Sequence, residues 1–162
     1  NGHATPWHQD GQYWPIRPLA TCTVWLAVDD ANEENGCLKF IRGSHRDKNL
    51  KQHEFNENKN LTLHQELLKS EFNEKESVNL ILKRGQISLH DVYLVHGSDA
   101  NLSSKSRRGM TMRFMPTTSV FDHNLAKQKY NNLNVSKYSN RKIYLARGYD
   151  KSKRNNLEVV NF

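Results

Sequence analysis

A histidine and an aspartate one residue apart, His8 and Asp10 in Trp7-His8-Gln9-Asp10-Gly11, are the residues whose types and spacing point most directly to chemistry. On a strand, side chains at i and i+2 share a face, so an imidazole and a carboxylate would project together as two legs of a metal site. His90 and His96 each offer a third leg. A regular strand could put both on one face, so periodicity leaves that choice open. Context favours His96. It stands at a strand end beside Gly97-Ser98, where a backbone can approach a metal closely, and a basic pair, Arg107-Arg108, follows across a loop. Two histidines and one carboxylate leave positions open on an octahedral metal, the pattern of non-haem Fe(II) chemistry. Zinc more often takes three protein ligands and a water, and His/His/Asp can serve it too, so ligand types alone do not fix the metal.

The elements that must position these residues read as short strands. Residues 20–28 are rich in β-branched and aromatic types and predict one strand; 37–41 predict a second. The polar span between them carries Asn35-Gly36, so the pair reads as an antiparallel hairpin with a longish loop. Strand character returns at 77–82, 86–90, 93–96 and 110–115, and Pro116 ends the last of these. Between them lies a polar, Asn/Lys/Glu-rich insertion, 46–77, in which 61–68 predict a short helix. A basic, Asn-rich C-terminal extension, 117–162, holds one strand-like piece near 142–146. Many short strands with polar turns point to an all-β sandwich or barrel of jelly-roll type, with minor helices.

The chain has 162 residues, which fits a single domain, 1–162, with its core in 4–116. Only 36% of residues are apolar, so a core is expected where they cluster, over 13–42 and 78–116. The net charge is +7. Its Lys and Arg are scattered among Asn, Asp and Glu, which argues for solubility and against nucleic acid. Cys22 and Cys37 show no pairing framework and read as two buried free thiols of a reducing compartment. With no signal peptide and no apolar run long enough to cross a bilayer, a cytoplasmic protein without a membrane partner is expected.

The motifs taken together resemble the phytanoyl-CoA dioxygenase family, a branch of the Fe(II)/2-oxoglutarate-dependent oxygenases. The matching residues are His8-Gln9-Asp10, Asn35-Gly36-Cys37-Leu38 with Gly43-Ser44-His45, and His96-Gly97-Ser98 with Asn101 and Arg107. Arg107 lies eleven residues after His96, the family's spacing for the arginine that grips 2-oxoglutarate. The resemblance implies a double-stranded β-helix (a cupin-like jelly roll) with the metal in its mouth. It implies Fe(II) on His8, Asp10 and His96, with 2-oxoglutarate and O2 as co-substrates. An arginine suits the far carboxylate because its planar fork binds bidentately and keeps its charge. Ser98 would add a hydroxyl, and Gln9, Thr5, Thr23 and Trp25 are further candidates for the same pocket. No catalytic residue beyond the metal ligands is implied. The implied reaction is dioxygenase hydroxylation of a small-molecule substrate with release of succinate and CO2. Because Asp10 is present, halogenation is not implied.

Family members carry a first barrel strand and supporting helices before the His-x-Asp motif, whereas seven residues precede His8 here, so the chain resembles an N-terminally truncated copy. Two other readings remain open: a catalytically impaired jelly-roll binding module, and a jelly-roll metalloenzyme of another class. The remaining histidines (His3, His45, His53, His64, His90 and His123) are expected at the surface or in structural roles, and Asp91 in a turn. Tyr144 and Arg147 follow a pattern of bacterial relatives and would close one side of the substrate pocket. Substrate identity and oligomeric state are not written in the motifs.

Overall fold

The computed structural model describes residues 2–133, 135 and 137–158. Residue 1, residues 134 and 136 and the last four residues of the expected extension, 159–162, lie outside the described residues. In chain order the strands are β1 (Thr5–His8), β2 (Ile16–Arg17), β3 (Cys22–Ala27), β4 (Leu38–Ile41), β5 (His53–Phe55), β6 (Gln65–Leu67), β7 (Ser77–Leu80), β8 (Ile87–Asp91), β9 (His96–Ser98), β10 (Gly109–Phe114) and β11 (Val120–Phe121). The helix α1 (His123–Leu133) follows, then β12 (Ile143–Tyr144) and β13 (Leu157–Glu158).

Two antiparallel sheets make the barrel. One runs β1-β9-β4-β7 and the other β10-β3-β8. Apart from β4 and β7, which pair with each other in the first sheet across the 46–77 insertion, successive barrel strands alternate between the two sheets, as in the jelly roll, or double-stranded β-helix, that the motifs implied. The expected hairpin of 20–28 with 37–41 does not form. β3 pairs with β10 and β8, and β4 pairs with β9 and β7 in the opposite sheet. The turn at Asn35-Gly36 therefore crosses between sheets. A two-residue turn signal sets local backbone shape, but the sheet a strand joins is decided by which face must be buried.

β3 is the central strand of its sheet. Thr23, Trp25 and Ala27 are buried while the residues between them are less so, the period-2 pattern of a half-buried strand. Trp25 packs with Ala27, Ala31, Cys37, Leu38 and Leu82 at the closed end of the barrel. Its ring lies against Gly109 of β10. A Cβ there would come within 2.3 Å of the indole, so only glycine admits this packing. A second core (Tyr13, Trp14, Ile16, Phe121, Ala126 and Val135) joins the barrel mouth to the C-terminal region.

Residues 61–68 contain a strand, β6, rather than the expected short helix. Gln65 and Leu67 are buried on one side of β6 and it pairs with β5, so tertiary burial overrides the local helical tendency of Leu, Gln and Glu. The α-helix forms instead at 123–133, where the sequence reading placed nothing. Only Ala126 is buried on it, so no broad apolar stripe marked it. Cys37 is buried as expected, but Cys22 is exposed, on the outer face of β3; both are free thiols. No helix among the described residues is long and apolar enough to cross a membrane.

Candidate metal centre

Two rows of side chains, one from each sheet, face each other at the barrel mouth. In the first sheet His8 lies directly opposite His96, and Phe40 of β4 lies opposite His96 on its other side. In the second, Thr23 has Arg113 of β10 on one flank and His90 of β8 on the other. Asp10 enters between the rows. Ligating atoms of His8, Asp10 and His96 lie within 4.8 Å of one another, and all three residues are buried. The expectation that His8 and Asp10 share one strand face is corrected here. β1 ends at His8, and Asp10 is the first residue of a 3-10 turn, Asp10–Gln12. Convergence comes from that turn, held by the Tyr13 and Trp14 amides donating to the Asp10 carbonyl.

Each imidazole is oriented by its own backbone. His8 Nδ1 lies 2.8 Å from the Pro6 carbonyl and His96 Nδ1 2.8 Å from the Leu94 carbonyl. A carbonyl only accepts, so both Nδ1 atoms carry the proton and both Nε2 lone pairs face the site. The rings sit 4.2 Å apart, and Tyr13 meets His8 edge-on. Burial, and then the neighbouring His8, push His96 down to about 3, so it stays neutral and ready to ligate at ordinary pH.

Asp10 is held as a carboxylate from three sides. The Thr23 hydroxyl donates to Oδ2 at 2.9 Å, Arg113 donates to Oδ1 at 3.2 Å, and His90 Nε2 stands 3.8 Å from Oδ2. Burial alone would raise its pKa, but His8, His96 and Arg113 outweigh that and keep it well below the usual carboxylate range. Neutral imidazoles beside an ionised carboxylate form a ready donor set for a divalent cation.

The expected co-substrate residues divide into two groups. Ser98 and Trp25 lie one row deeper than the metal row, two residues along their strands from His96 and Thr23. Ser98 Oγ is buried without a hydrogen-bond partner, and so is Nε of half-buried Arg107. Both border the Trp25 cluster: Ser98 pairs with Leu38, and the Arg107 charge lies near Cys37. Orphaned buried donors at two expected anchor points fit a dicarboxylate.

The other three candidates are corrected. Gln9 is fully buried, but its amide nitrogen donates to the Asn49 and Tyr93 carbonyls and its oxygen accepts from the Lys51 amide. It braces the loop behind the centre and has no amide proton left for a ligand. The Thr5 hydroxyl is paired with that of Thr62 at an exposed position. Thr23 spends its hydroxyl on Asp10. Gly97 is also reread. A Cβ there would lie 3.0 Å from the Thr5 carbonyl, so this glycine lets β9 approach β1, not a metal.

His90, expected in a surface or structural role, is mostly buried, with its ring tilted against that of His96 at 4.8 Å between centroids, and lowered in pKa chiefly by burial. Sequence reasoning weighed His90 only as an alternative metal leg, and it missed Arg113. Both lie on alternating strands: Ile87-Ser88-Leu89-His90 on β8, and Thr111 and Arg113 between Met110, Met112 and Phe114 on β10. That polar-in, apolar-out alternation was the available signal. The Oγ of half-buried Ser88, opposite Trp25, is likewise buried and unpartnered. A cavity of about 440 Å3 between the sheets reaches Leu38, Ser88, His90 and His96. Asp91 accepts the Tyr93 amide, as a turn residue should. Arg108 pairs with Asp29 on the surface, away from its neighbour Arg107. Tyr144 and Arg147 line a second cavity, on the Trp14 side of Arg113.

The barrel and the buried His-Asp-His cluster are those of the iron/2-oxoglutarate oxygenase class, and comparison with known proteins agrees. The family model for phytanoyl-CoA dioxygenase matches residues 1–109. A phytanoyl-CoA dioxygenase domain-containing protein 1 homolog from Caenorhabditis briggsae is 33% identical over 120 residues, covering 70% of this chain and 41% of that protein. The human peroxisomal phytanoyl-CoA dioxygenase is 30% identical over 114 residues, covering 67% of this chain and 32% of that protein. Among solved structures, EvdO2 from Micromonospora carbonacea complexed with 2-oxoglutarate superposes with a TM-score of 0.60 at 28% identity, over 70% of this chain and 46% of that one. This chain belongs to the phytanoyl-CoA dioxygenase family. It spans about two fifths of the length of the first of these relatives.

Proposed function

We propose that the protein of which this chain is part hydroxylates a small-molecule substrate, with Fe(II) held by His8, Asp10 and His96 and 2-oxoglutarate held by Arg107 and Ser98. The observation that carries the reading is the combination of the buried triad with two unpartnered buried donor atoms, Ser98 Oγ one row deeper and Arg107 Nε near Cys37 of the Trp25 cluster. When bound, iron and 2-oxoglutarate supply the O2 activation that oxidises a substrate C–H bond and releases succinate and CO2. The residues of the chain do the rest. Pro6 and Leu94 carbonyls fix the imidazole tautomers, and Thr23 and Arg113 hold the carboxylate in place. Trp25 and its apolar neighbours exclude water from the closed end, where a desolvated guanidinium and hydroxyl would grip a carboxylate. The two free cysteines support the reducing, cytoplasmic setting expected from the sequence.

Anaerobic addition of Fe(II) and 2-oxoglutarate tests the proposal. Chelation at an open-sided site should give a weak visible charge-transfer band, at roughly 500–530 nm. Arg107→Ala should remove the band at low co-substrate and leave Fe(II) binding in place. Fe(II) binding without any band in the folded protein would sink the co-substrate assignment.

A further inference from the structure

The second cavity, about 800 Å3, opens beside the metal row, and none of His8, Asp10, His96, Ser98 or Arg107 lines it. Its floor is an aromatic stack, Trp14 on Tyr138, with centroids 4.9 Å apart and planes 13° from parallel. Arg113, already bonded to Asp10, places its guanidinium 4.6 Å from the Trp14 ring. Arg141 lies 5.1 Å from the Trp14 ring and 4.9 Å from that of Tyr138. The stack therefore links the metal row to a cation at the outer wall.

The charges lining this cavity are lopsided. Among the described residues the cations are Arg113, Arg141, Lys142 and Arg147, and the one carboxylate is Asp150. Asp150 is taken up by its own loop, accepting from the Ser152 hydroxyl and amide and from Asn155. Lys142 is paired with Glu158. No ion pair of Arg141 or Arg147 is found among the described residues. An arginine held against two rings keeps its fork oriented and loses less freedom on binding an anion. Phe114, Phe121, Ile143 and Tyr144 give the remaining wall an apolar character.

We infer that this cavity binds the substrate of the proposed oxygenase, and that the substrate is a partly apolar molecule ending in a carboxylate or phosphate. Its body lies along the Trp14–Tyr138 stack, its anionic end is taken by Arg141 with Arg147 near, and its reacting carbon reaches the metal row past Arg113. The inference rests on the proposed function only for the word substrate. The anion preference is a property of the cavity and is measurable with no metal or co-substrate present.

Titration calorimetry on the metal-free protein, with three shape-matched probes, tests it. 2-Naphthoate and 2-naphthyl phosphate should bind at least about tenfold more tightly than neutral 2-naphthamide, the size expected of a charge-assisted contact. Whichever anion binds better identifies the end group. Arg141→Gln should erase the preference, and Arg141→Lys should keep most of it, with thermal unfolding confirming that both variants fold. Anions that bind no better than the amide, or a preference that survives Arg141→Gln, would overturn the inference. Neither result would bear on whether His8, Asp10 and His96 hold iron, which the charge-transfer band reads separately.

Discussion

The two faces of the β10-β3-β8 sheet are made from the same three strands and could hardly be more different. Inward, the row Arg113–Thr23–His90 puts three polar side chains around one carboxylate. Outward, the rows Met110–Leu26–Ile87 and Met112–Val24–Leu89 form an apolar surface. Leu89 on that surface is 63% exposed and Ile87 52%. Single exposed apolar residues are ordinary, but contiguous patches are not. The inner face is complete in that each group near Asp10 has a partner or an evident ligand. On the outer face Met110, Ile87 and Leu89 are exposed, and Val24, Leu26 and Met112 are only partly covered. Strand alternation thus separates a face organised for chemistry from an apolar face left largely to solvent.

The largest effect should come from the heart of the inner face. His96→Ala or Asp10→Asn should weaken Fe(II) binding by more than about 100-fold, since even partners behind the ligands are worth roughly 10- to 100-fold. Anaerobic Fe(II) titration followed by calorimetry reads this. Retained affinity in either variant would mean that the converging atoms are not the ligands, and the contrast between faces would lose its chemical meaning.

A smaller effect is expected one step out. Thr23→Val removes the hydroxyl that Asp10 Oδ2 accepts and keeps the side-chain volume. Fe(II) affinity should fall by roughly tenfold while the fold persists, because the carboxylate loses its aim and not its charge. An unchanged affinity would assign Thr23 to packing alone.

The sequence disclosed the metal ligands because their residue types are scarce and their spacing is short. It disclosed the jelly roll mainly through motif order. It did not disclose the rows. Thr23, His90 and Arg113 lie far apart in the chain and meet only through register, which is set by burial across three strands. For the same reason Gln9, Thr5 and Thr23 looked like pocket residues: proximity to the motif was legible, but the direction of each side chain was not. The short strand β6 was misread as helix because the partners that bury Leu67, Ile41 and Val95 among them, are remote in sequence.

The outer face should respond weakly. Leu89→Lys places a charge where the side chain already meets solvent, so unfolding free energy should stay within about 0.5 kcal/mol of the parent. Denaturant titration checks this. A loss above about 2 kcal/mol would show that this face is buried in solution, and the comparison between a finished and an unfinished face would have to be withdrawn.

The smallest effect concerns the brace behind the inner face, and it should vanish at neutral pH. His53 Nε2 accepts the Gln9 amide while its Nδ1 donates to the Lys51 carbonyl, so the neutral ring is the one the fold uses. Burial pushes its pKa from the usual 6.5 down to about 4. Below about pH 6.5 the unfolded chain takes up a proton that the folded chain refuses until about pH 4, so stability falls as pH drops through that window and is flat above it. His53→Gln keeps an acceptor and removes the titration. Its stability should therefore lose less than the parent's between neutral pH and about pH 4.5, by urea titration at each pH. Parallel curves would mean that His53 titrates alike in both states, and that the organised side of the molecule stops at the metal row.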